Sequence, residues 1–266
     1  MFRRSFEEFL ESNGVEFAVQ GNCFLFPEHH LEILLVPKDC AAHPDLGTDT
    51  GAAAPNDRLY LYEDRWYSGG DILRSRILSR VGRFRSIFAR KCKIISGSSI
   101  APQVAQFLDQ YHAYGNAQCK HRYALVSGEE VVAVATFSKP RPMPRGDGRT
   151  YLSFEWVRYA SIPGTRVVGG MGRLLKAFLK DAAAMGLEAG MPVEVMSYSD
   201  NEWSTGGAYL QLGFKKIGER GPVKYMVDSN SYQRYSVRKF SLLDPKGGNF
   251  YEISNMGSGK FLYICP

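Results

Sequence analysis

The stretch Arg166-Val-Val-Gly-Gly-Met-Gly-Arg-Leu-Leu-Lys-Ala-Phe-Leu-Lys180 decides how this chain is read. Three glycines in four positions make a tight turn, and the turn runs directly into an amphipathic pattern. Met171, Leu174, Leu175, Phe178, Leu179 and Ala182 fall at i, i+3, i+4, i+7, i+8 and i+11, one apolar face of a helix. The first amides of such a helix have no intrahelical acceptor, and the helix dipole adds partial positive charge there. Glycines at 169, 170 and 172 let a pyrophosphate approach the backbone, so the turn predicts an anion site. Upstream, Tyr151 to Ser161 is rich in aromatic and β-branched residues, and downstream Val193 to Asp200 reads as a buried strand. The order is strand, glycine turn, helix, strand, then a short helix holding Ala208-Tyr-Leu-Gln-Leu-Gly-Phe214.

This succession resembles the GNAT acetyltransferases, whose glycine turn holds the CoA pyrophosphate and whose later helix often ends in Tyr-x-x-x-Gly-Phe, here Tyr209 to Phe214. The family's Gln/Arg-x-x-Gly-x-Gly/Ala turn is read either from Arg166, with Met171 in the small-residue slot, or from Val167. The resemblance implies acetyl-CoA as acyl donor, bound by Val167, Val168, Gly169, Gly170, Met171, Gly172 and Arg173. Other segments, namely Ala89-Arg-Lys-Cys92, the His112-Ala-Tyr-Gly115 turn, Ser197-Tyr-Ser-Asp200 with Trp203, and Pro222-x-x-Tyr225, are similar to phage proteins labelled Hef-like homing endonucleases. In those proteins a restriction-endonuclease-like domain precedes a GNAT-type domain. Mom-type DNA-modification proteins are relatives in kind. These resemblances imply a viral, DNA-directed protein working in the host cytoplasm.

Composition sets wider bounds. The chain has 266 residues, 44% of them hydrophobic, enough for one large or two small domains. The formal charge is +6. Arg74, Arg76, Arg80, Arg83 and Arg85 crowd one segment, where Ile72, Leu73, Ile77, Leu78 and Val81 supply an apolar stripe. The pattern predicts an amphipathic helix with a basic outer face, either a solvated surface or a contact for DNA phosphates. Cysteines at 23, 40, 92, 119 and 265 lack metal-ligand spacing, which predicts free thiols in a reducing compartment. The first residues lack the apolar core of a signal peptide, and no run approaches the roughly 20 apolar residues of a membrane span.

Periodicity and turn signals predict a helix near Ser5 to Ser12, strands over Glu16 to Leu25, Leu31 to Val36 and from Leu59, and a small-residue loop over Asp39 to Asp57. A helix from Ala101 to His112 and a hairpin turning at Gly128-Glu129 follow. Lys139 to Arg149 reads as a basic, proline-rich loop. Strands at Phe214 to Ile217, Lys224 to Asp228 and Tyr235 to Leu242 are expected to finish the sheet, with Asn249 to Ile264 as a further hairpin.

Metal-dependent phosphodiester cleavage needs two acidic ligands and usually a lysine. Glu32 resembles the first acidic position of the endonuclease-like proteins. Asp39, Asp45 and Asp49 are candidates for the second, and none sits in a strand with a lysine two residues on. No metal is expected.

Acyl transfer needs fewer groups, because the thioester is already activated: the acceptor amine must lose a proton and the departing thiolate must gain one. Tyr209 matches the family's general acid, and its other reading is a packed core aromatic. Glu155 lies in the strand where several such enzymes carry a base, with Arg158 as the obvious structural partner. Asp200 ends the next strand, as a base or as the cap of the following helix. His112 has a pKa suited to proton transfer. Trp156, Tyr198 and Trp203 are candidates to sandwich an extruded base.

The expected architecture is α/β: a degenerate nuclease-like, DNA-binding domain over 1–90, a GNAT-like acyltransferase domain over 91–242 and a C-terminal β-hairpin tail over 243–266. The expected function is transfer of an acyl group from acetyl-CoA to an amine of phage DNA, adenine N6 or a hypermodified thymine amine, which would protect viral DNA from host restriction. The alternatives are a homing-type Mg²⁺-dependent endonuclease and a non-catalytic DNA-binding protein.

Overall fold

The computed structural model describes residues 1–40, 57–243 and 248–265. The chain forms two compact units. The first comprises Met1–Gly82, Ser199–Gly206 and Glu219–Gly259, and the second Arg83–Tyr198, Gly207–Gly218 and Lys260–Pro266. Glu219–Gly259, which sequence reading divides between an acyltransferase domain and a tail, lies in the first unit.

The first unit opens with α1 (Phe2–Ser12), whose Phe2, Phe6 and Leu10 recur every four residues and are buried. The single strand expected over 16–25 is broken by Gly21, whose φ of +57° turns the chain between β1 (Ala18–Gln20) and β2 (Cys23–Phe26). β3 (Leu31–Val36) lies antiparallel to β2, and β4 (Asp57–Tyr62) runs parallel to β3. Helices α2 (Glu63–Ser68) and α3 (Gly70–Arg80) follow. Phe6 meets Phe24 and Trp66 edge-on at 4.9 and 5.3 Å, a core geometry that aromatic quadrupoles favour. The basic helix therefore stops at Arg80, and Arg83 and Arg85 lie beyond it. The small-residue loop, with Asp45 and Asp49, falls outside the described residues.

The second unit contains β5 (Arg85–Phe88), β6 (Lys93–Ser96), α4 (Ala101–Tyr111) and the expected hairpin of β7 (His121–Ser127) and β8 (Glu130–Phe137), with Gly128 at φ +62° in its turn. The expected basic loop is partly a strand: β9 (Arg141–Pro144) pairs with β10 (Thr150–Ser161). Arg145 is held bidentately by the fully buried Glu194, with Nε to Oε2 at 2.9 Å. β11 (Thr165–Val168) pairs only with β5, in parallel, and leads into α5 (Gly170–Ala189), β12 (Val193–Asp200), α6 (Gly207–Gln211) and β13 (Lys215–Arg220).

Of the strands expected to finish this sheet, only β13 joins it. β14 (Lys224–Asp228), β15 (Arg234–Ser236) and β16 (Phe250–Ser254) form a separate three-stranded sheet, and residues read as strand up to Leu242 are instead α7 (Val237–Leu243). The tail is not a hairpin either. β16 pairs with β14, whereas β17 (Ser258–Ile264) inserts into the large sheet, whose order is β13-β17-β12-β10-β8-β7-β6.

Alternation along the central strands separates two faces. Tyr123, Leu125, Ala135 and Phe137 pack with Leu174, Leu175 and Phe178 of α5, and Phe137 stacks on Phe178 at 3.7 Å. Ala124, Val134 and Ala160 pack with Val104, Phe107 and Leu108 of α4 on the other face. The expected α/β class holds, and the large mixed sheet has the GNAT-like succession of strand, glycine turn, helix and parallel strand. The first unit carries two small sheets, β1-β2-β3-β4 and β15-β14-β16.

Candidate active site

Two features of β10 set the site. Its parallel register with β12 is confined to Leu152–Glu155 against Val193–Met196. Just beyond, between Trp156 and Arg158, its pairing with β8 shifts by one residue. Such a bulge kinks a strand and frees backbone groups from the ladder. Where the parallel register ends, a side chain replaces the ladder: Ser197 Oγ lies 3.1 Å from the Trp156 carbonyl oxygen and 2.9 Å from the Tyr209 hydroxyl.

Tyr209, on α6, stacks on Phe261 of β17 at 5.2 Å and meets Phe214 edge-on at 5.4 Å. Burial pushes its phenol pKa up, opposed by the Ser197 hydroxyl, so the group keeps its proton at neutral pH. Tyr209 is packed, and its hydroxyl stands at the end of a polar chain. Sequence reading quotes Ser197 but gives it no role, although a polar residue in a buried strand needs a partner and so marks itself.

The glycine turn is built as anticipated, but its three glycines do different things. Gly169 caps α5 with φ +74°, a left-handed conformation, and has open space where a side chain would stand. Gly170 is buried, and a Cβ there would come within 2.7 Å of the Tyr159 hydroxyl and 3.0 Å of Val167. A Cβ on Gly172 would come 3.2 Å from Leu212. No side chain caps the helix and no acid lies in its first turn. The Arg173 amide bonds the Gly169 carbonyl at 3.0 Å, leaving the amides before it without an intrahelical acceptor. Val168 is exposed beside them, and Val167 is buried. Uncapped amides, open space at Gly169 and a positive dipole end fit a pyrophosphate. Met171 packs half-buried against the core, and Arg173 turns to the Ala89 carbonyl at 2.8 Å.

Glu155 is half-buried at the end of the parallel register, its backbone locked to Ser138 by two bonds of 2.9 Å. The expected ion pair with Arg158 is not made. Arg158 instead donates to the carbonyls of Gly115 and Val157, at 3.2 and 2.9 Å. His112 follows α4, and its Nδ1 accepts from the Tyr114 amide at 3.1 Å, which leaves Nε2 to carry the proton of the neutral ring. Tyr209, Glu155 and His112 therefore belong to one unit. Asp200 belongs to the segment assigned to the other, where its Oδ1 accepts the Glu202 amide at 3.0 Å and its carbonyl accepts the amides of Trp203 and Ser204, closing a turn; the following helix, α6, starts only at Gly207.

The arginines expected to face phosphates have local partners. Arg74 lies over the Trp66 ring at 5.0 Å and Arg76 over Trp203 at 4.6 Å, while Arg80 binds Asp57 at 2.6 Å and the Trp203 carbonyl at 2.8 Å. Arg83 and Arg85 are exposed. Trp156 is buried in the core of the second unit and Trp203 in that of the first. In the first unit Glu32 pairs with Arg58 at 2.8 Å, and Asp39 is exposed. Among the described residues no group of three or more His, Cys, Asp or Glu is arranged to hold a metal, and no helix is long and apolar enough to cross a membrane. All five cysteines are free thiols.

No protein-family model and no curated protein matches the chain. Solved structures similar to it include an acetyltransferase from Bacillus subtilis in complex with CoA, at 15% identity and a TM-score of 0.38 over 66% of this chain and 100% of that one. The ribosomal-protein-S18-alanine N-acetyltransferase from Escherichia coli is similar at 12% identity and 0.37, over 65% and 93%. An aminoglycoside 6'-acetyltransferase type Ii is similar at 13% identity and 0.38, over 65% and 98%.

Proposed function

We propose that this protein transfers an acyl group from acetyl-CoA to an amino group. The observation that carries this reading is the pairing of two features in one unit: an uncapped helix start fit for a pyrophosphate, and a Tyr209–Ser197–Trp156 polar chain where β10 and β12 leave their common register. Acetyl-CoA supplies an acyl carbon already activated as a thioester. The amides preceding Arg173 bind the pyrophosphate, Tyr209 delivers a proton toward the departing sulfur, and Glu155 takes the proton of the attacking amine. His112 is the second acceptor for that proton, on the turn that Arg158 holds through Gly115.

The acceptor in this reading is an amine on DNA, adenine N6 or a hypermodified thymine amine, and its acylation would shield viral DNA from restriction. Support comes from the resemblance of Ser197-Tyr-Ser-Asp200 and the His112 turn to Hef-like proteins, with Mom-type proteins as relatives in kind. Of the basic helix, Arg80 is paired with Asp57, whereas Arg74 and Arg76 lie over Trp66 and Trp203 and keep their charge.

Thermal unfolding with and without acetyl-CoA tests the donor site, since a ligand bound only by the folded state raises the midpoint. Val168→Glu, which adds a negative charge on an exposed side chain beside the amides, is expected to abolish the shift. No shift at millimolar acetyl-CoA overturns the reading. Incubation with DNA and acetyl-CoA, followed by mass spectrometry of digested nucleosides, tests the acceptor.

A further inference from the structure

Arg122, Thr136 and Arg158 stand opposite one another on β7, β8 and β10, because Thr136 is the register partner of both arginines. Directly opposed residues share a face. Here it is the α4 face, since the next residues, Tyr123, Phe137 and Tyr159, pack on the α5 side. The row is unusual in its charge. Arg122 donates Nη1 to the Lys120 carbonyl at 3.2 Å and Nη2 to the Cys119 carbonyl at 3.0 Å, and Arg158 donates to the carbonyls of Gly115 and Val157. Among the described residues neither guanidinium forms a salt bridge with a carboxylate, and Glu155 acts on Arg158 through its charge.

Thr136 is fully buried, its hydroxyl makes no geometric hydrogen bond, and the Cys119 thiol is its polar neighbour. Burial holds the Arg158 pKa below its ordinary value, with Glu155 and Tyr114 acting in the opposite direction. A half-buried cation without a paired anion is costly, and the planar guanidinium fork matches an oxyanion. The row is also open, because Tyr114 at its rim is 49% exposed and Arg158 and His112 are half-exposed.

We propose that Arg158, with Arg122 beside it, seats an anionic oxygen group, phosphate or carboxylate, carried by the molecule whose amine is acylated. The assignment of that molecule as acyl acceptor rests on the acyltransferase reading; the anion site rests on the β7–β8–β10 row alone. Glu155 and Arg158 are three residues apart on one strand with the β10 bulge between them, which brings them closer than the roughly 10 Å of a fully extended chain. The acceptor is therefore a compact group bearing an amine and an oxyanion within about that span.

The test uses the intact protein and matched ligand pairs at constant ionic strength: deoxyadenosine 5′-monophosphate against deoxyadenosine, and alanyl-alanine against its C-terminal amide. The charged member of one pair is expected to raise the unfolding midpoint above its neutral counterpart, and which pair responds separates phosphate from carboxylate. Arg158→Gln is expected to weaken that binding about tenfold or more, with Arg158→Lys intermediate. Equal responses within both pairs, or undiminished binding by Arg158→Gln, overturn the proposal. If Arg158→Gln does not fold, phenylglyoxal labelling of the unaltered protein decides: the stabilising ligand must protect Arg158, and unchanged labelling overturns it. The acetyl-CoA shift is read in parallel, so its absence removes the acyltransferase reading while the ligand pairs still judge the anion site.

Discussion

Ser197 Oγ stands between the Tyr209 hydroxyl and the β10 backbone. It lies 2.9 Å from the Tyr209 hydroxyl, to which it donates, and 3.1 Å from the Trp156 carbonyl oxygen. Donation to the phenol oxygen opposes the rise that burial gives the Tyr209 pKa and leaves the phenol proton uncommitted to Ser197. Tyr209→Phe keeps the stacking on Phe261 and removes the proton. Turnover of acetyl-CoA is expected to fall about 100-fold or more with KM nearly unchanged, as measured by thiol release. Unchanged turnover would leave Tyr209 a packing residue only.

Gly170 and Gly169 are expected to fail differently. Gly170→Ala drives a methyl into Tyr159 and Val167, so chemical denaturation should show a loss of about 1–3 kcal/mol. Gly169→Ala meets no atom but strains a left-handed backbone, costing about 1 kcal/mol. Val168→Glu should leave stability within about 0.5 kcal/mol and act on acetyl-CoA affinity alone. Equal losses at Gly169 and Gly170 would contradict the close approach at Gly170.

The first unit contains a buried charge cluster with a definite weak point. Arg234 binds Glu202 at 2.7 Å and Asp64 at 3.1 Å through separate nitrogens, and all three side chains are nearly inaccessible. Removing the cation that binds both leaves two carboxylates buried without it, so Arg234→Met is expected to lose about 3–5 kcal/mol. Glu202 behaves otherwise: burial raises its pKa and its Oε2 has no partner among the described residues. Glu202→Gln is expected to be neutral or stabilising at pH 7 in urea melts, and a loss as large as that of Arg234→Met would refute this division.

Basic residues around α3 separate by partner. If the protein retards DNA in a gel, Arg80→Ala should hardly change the salt dependence, because Asp57 already neutralises that guanidinium at 2.6 Å. Arg85→Ala, at an exposed position, should lower the slope of log K against log salt by about 1. A reduced slope with Arg80→Ala would make that end of the helix a phosphate contact.

Stability should fall in alkali. Burial raises the phenol pKa of Tyr62, Tyr123, Tyr159, Tyr209 and Tyr251. A group raised in the folded state contributes fully below its unfolded pKa and loses that contribution as pH rises through its folded one. The unfolding midpoint is therefore expected to be insensitive to these groups below about pH 10 and to drop above it. A flat profile to pH 11 would argue against their burial.

What the sequence determined by itself is local. The face of α5 was legible because side chains three and four apart on a helix must share a surface, and Leu174, Leu175, Phe178 and Ala182 are indeed buried. The glycine turn and the β7–β8 hairpin were legible because positive φ demands glycine whatever surrounds it. Tertiary structure alone decided the rest. Ser258–Ile264 alternates like any strand, and nothing local says that it inserts between β12 and β13 to bring Phe261 onto Tyr209. Charge patterning shows where arginines cluster but not what they meet: Trp66, Trp203 and Asp57 meet the helix arginines, while Arg158 donates to carbonyls where an ion pair with Glu155 was expected. Partner choice depends on residues distant in sequence that packing brings within a few ångströms, and a linear pattern carries no record of that distance.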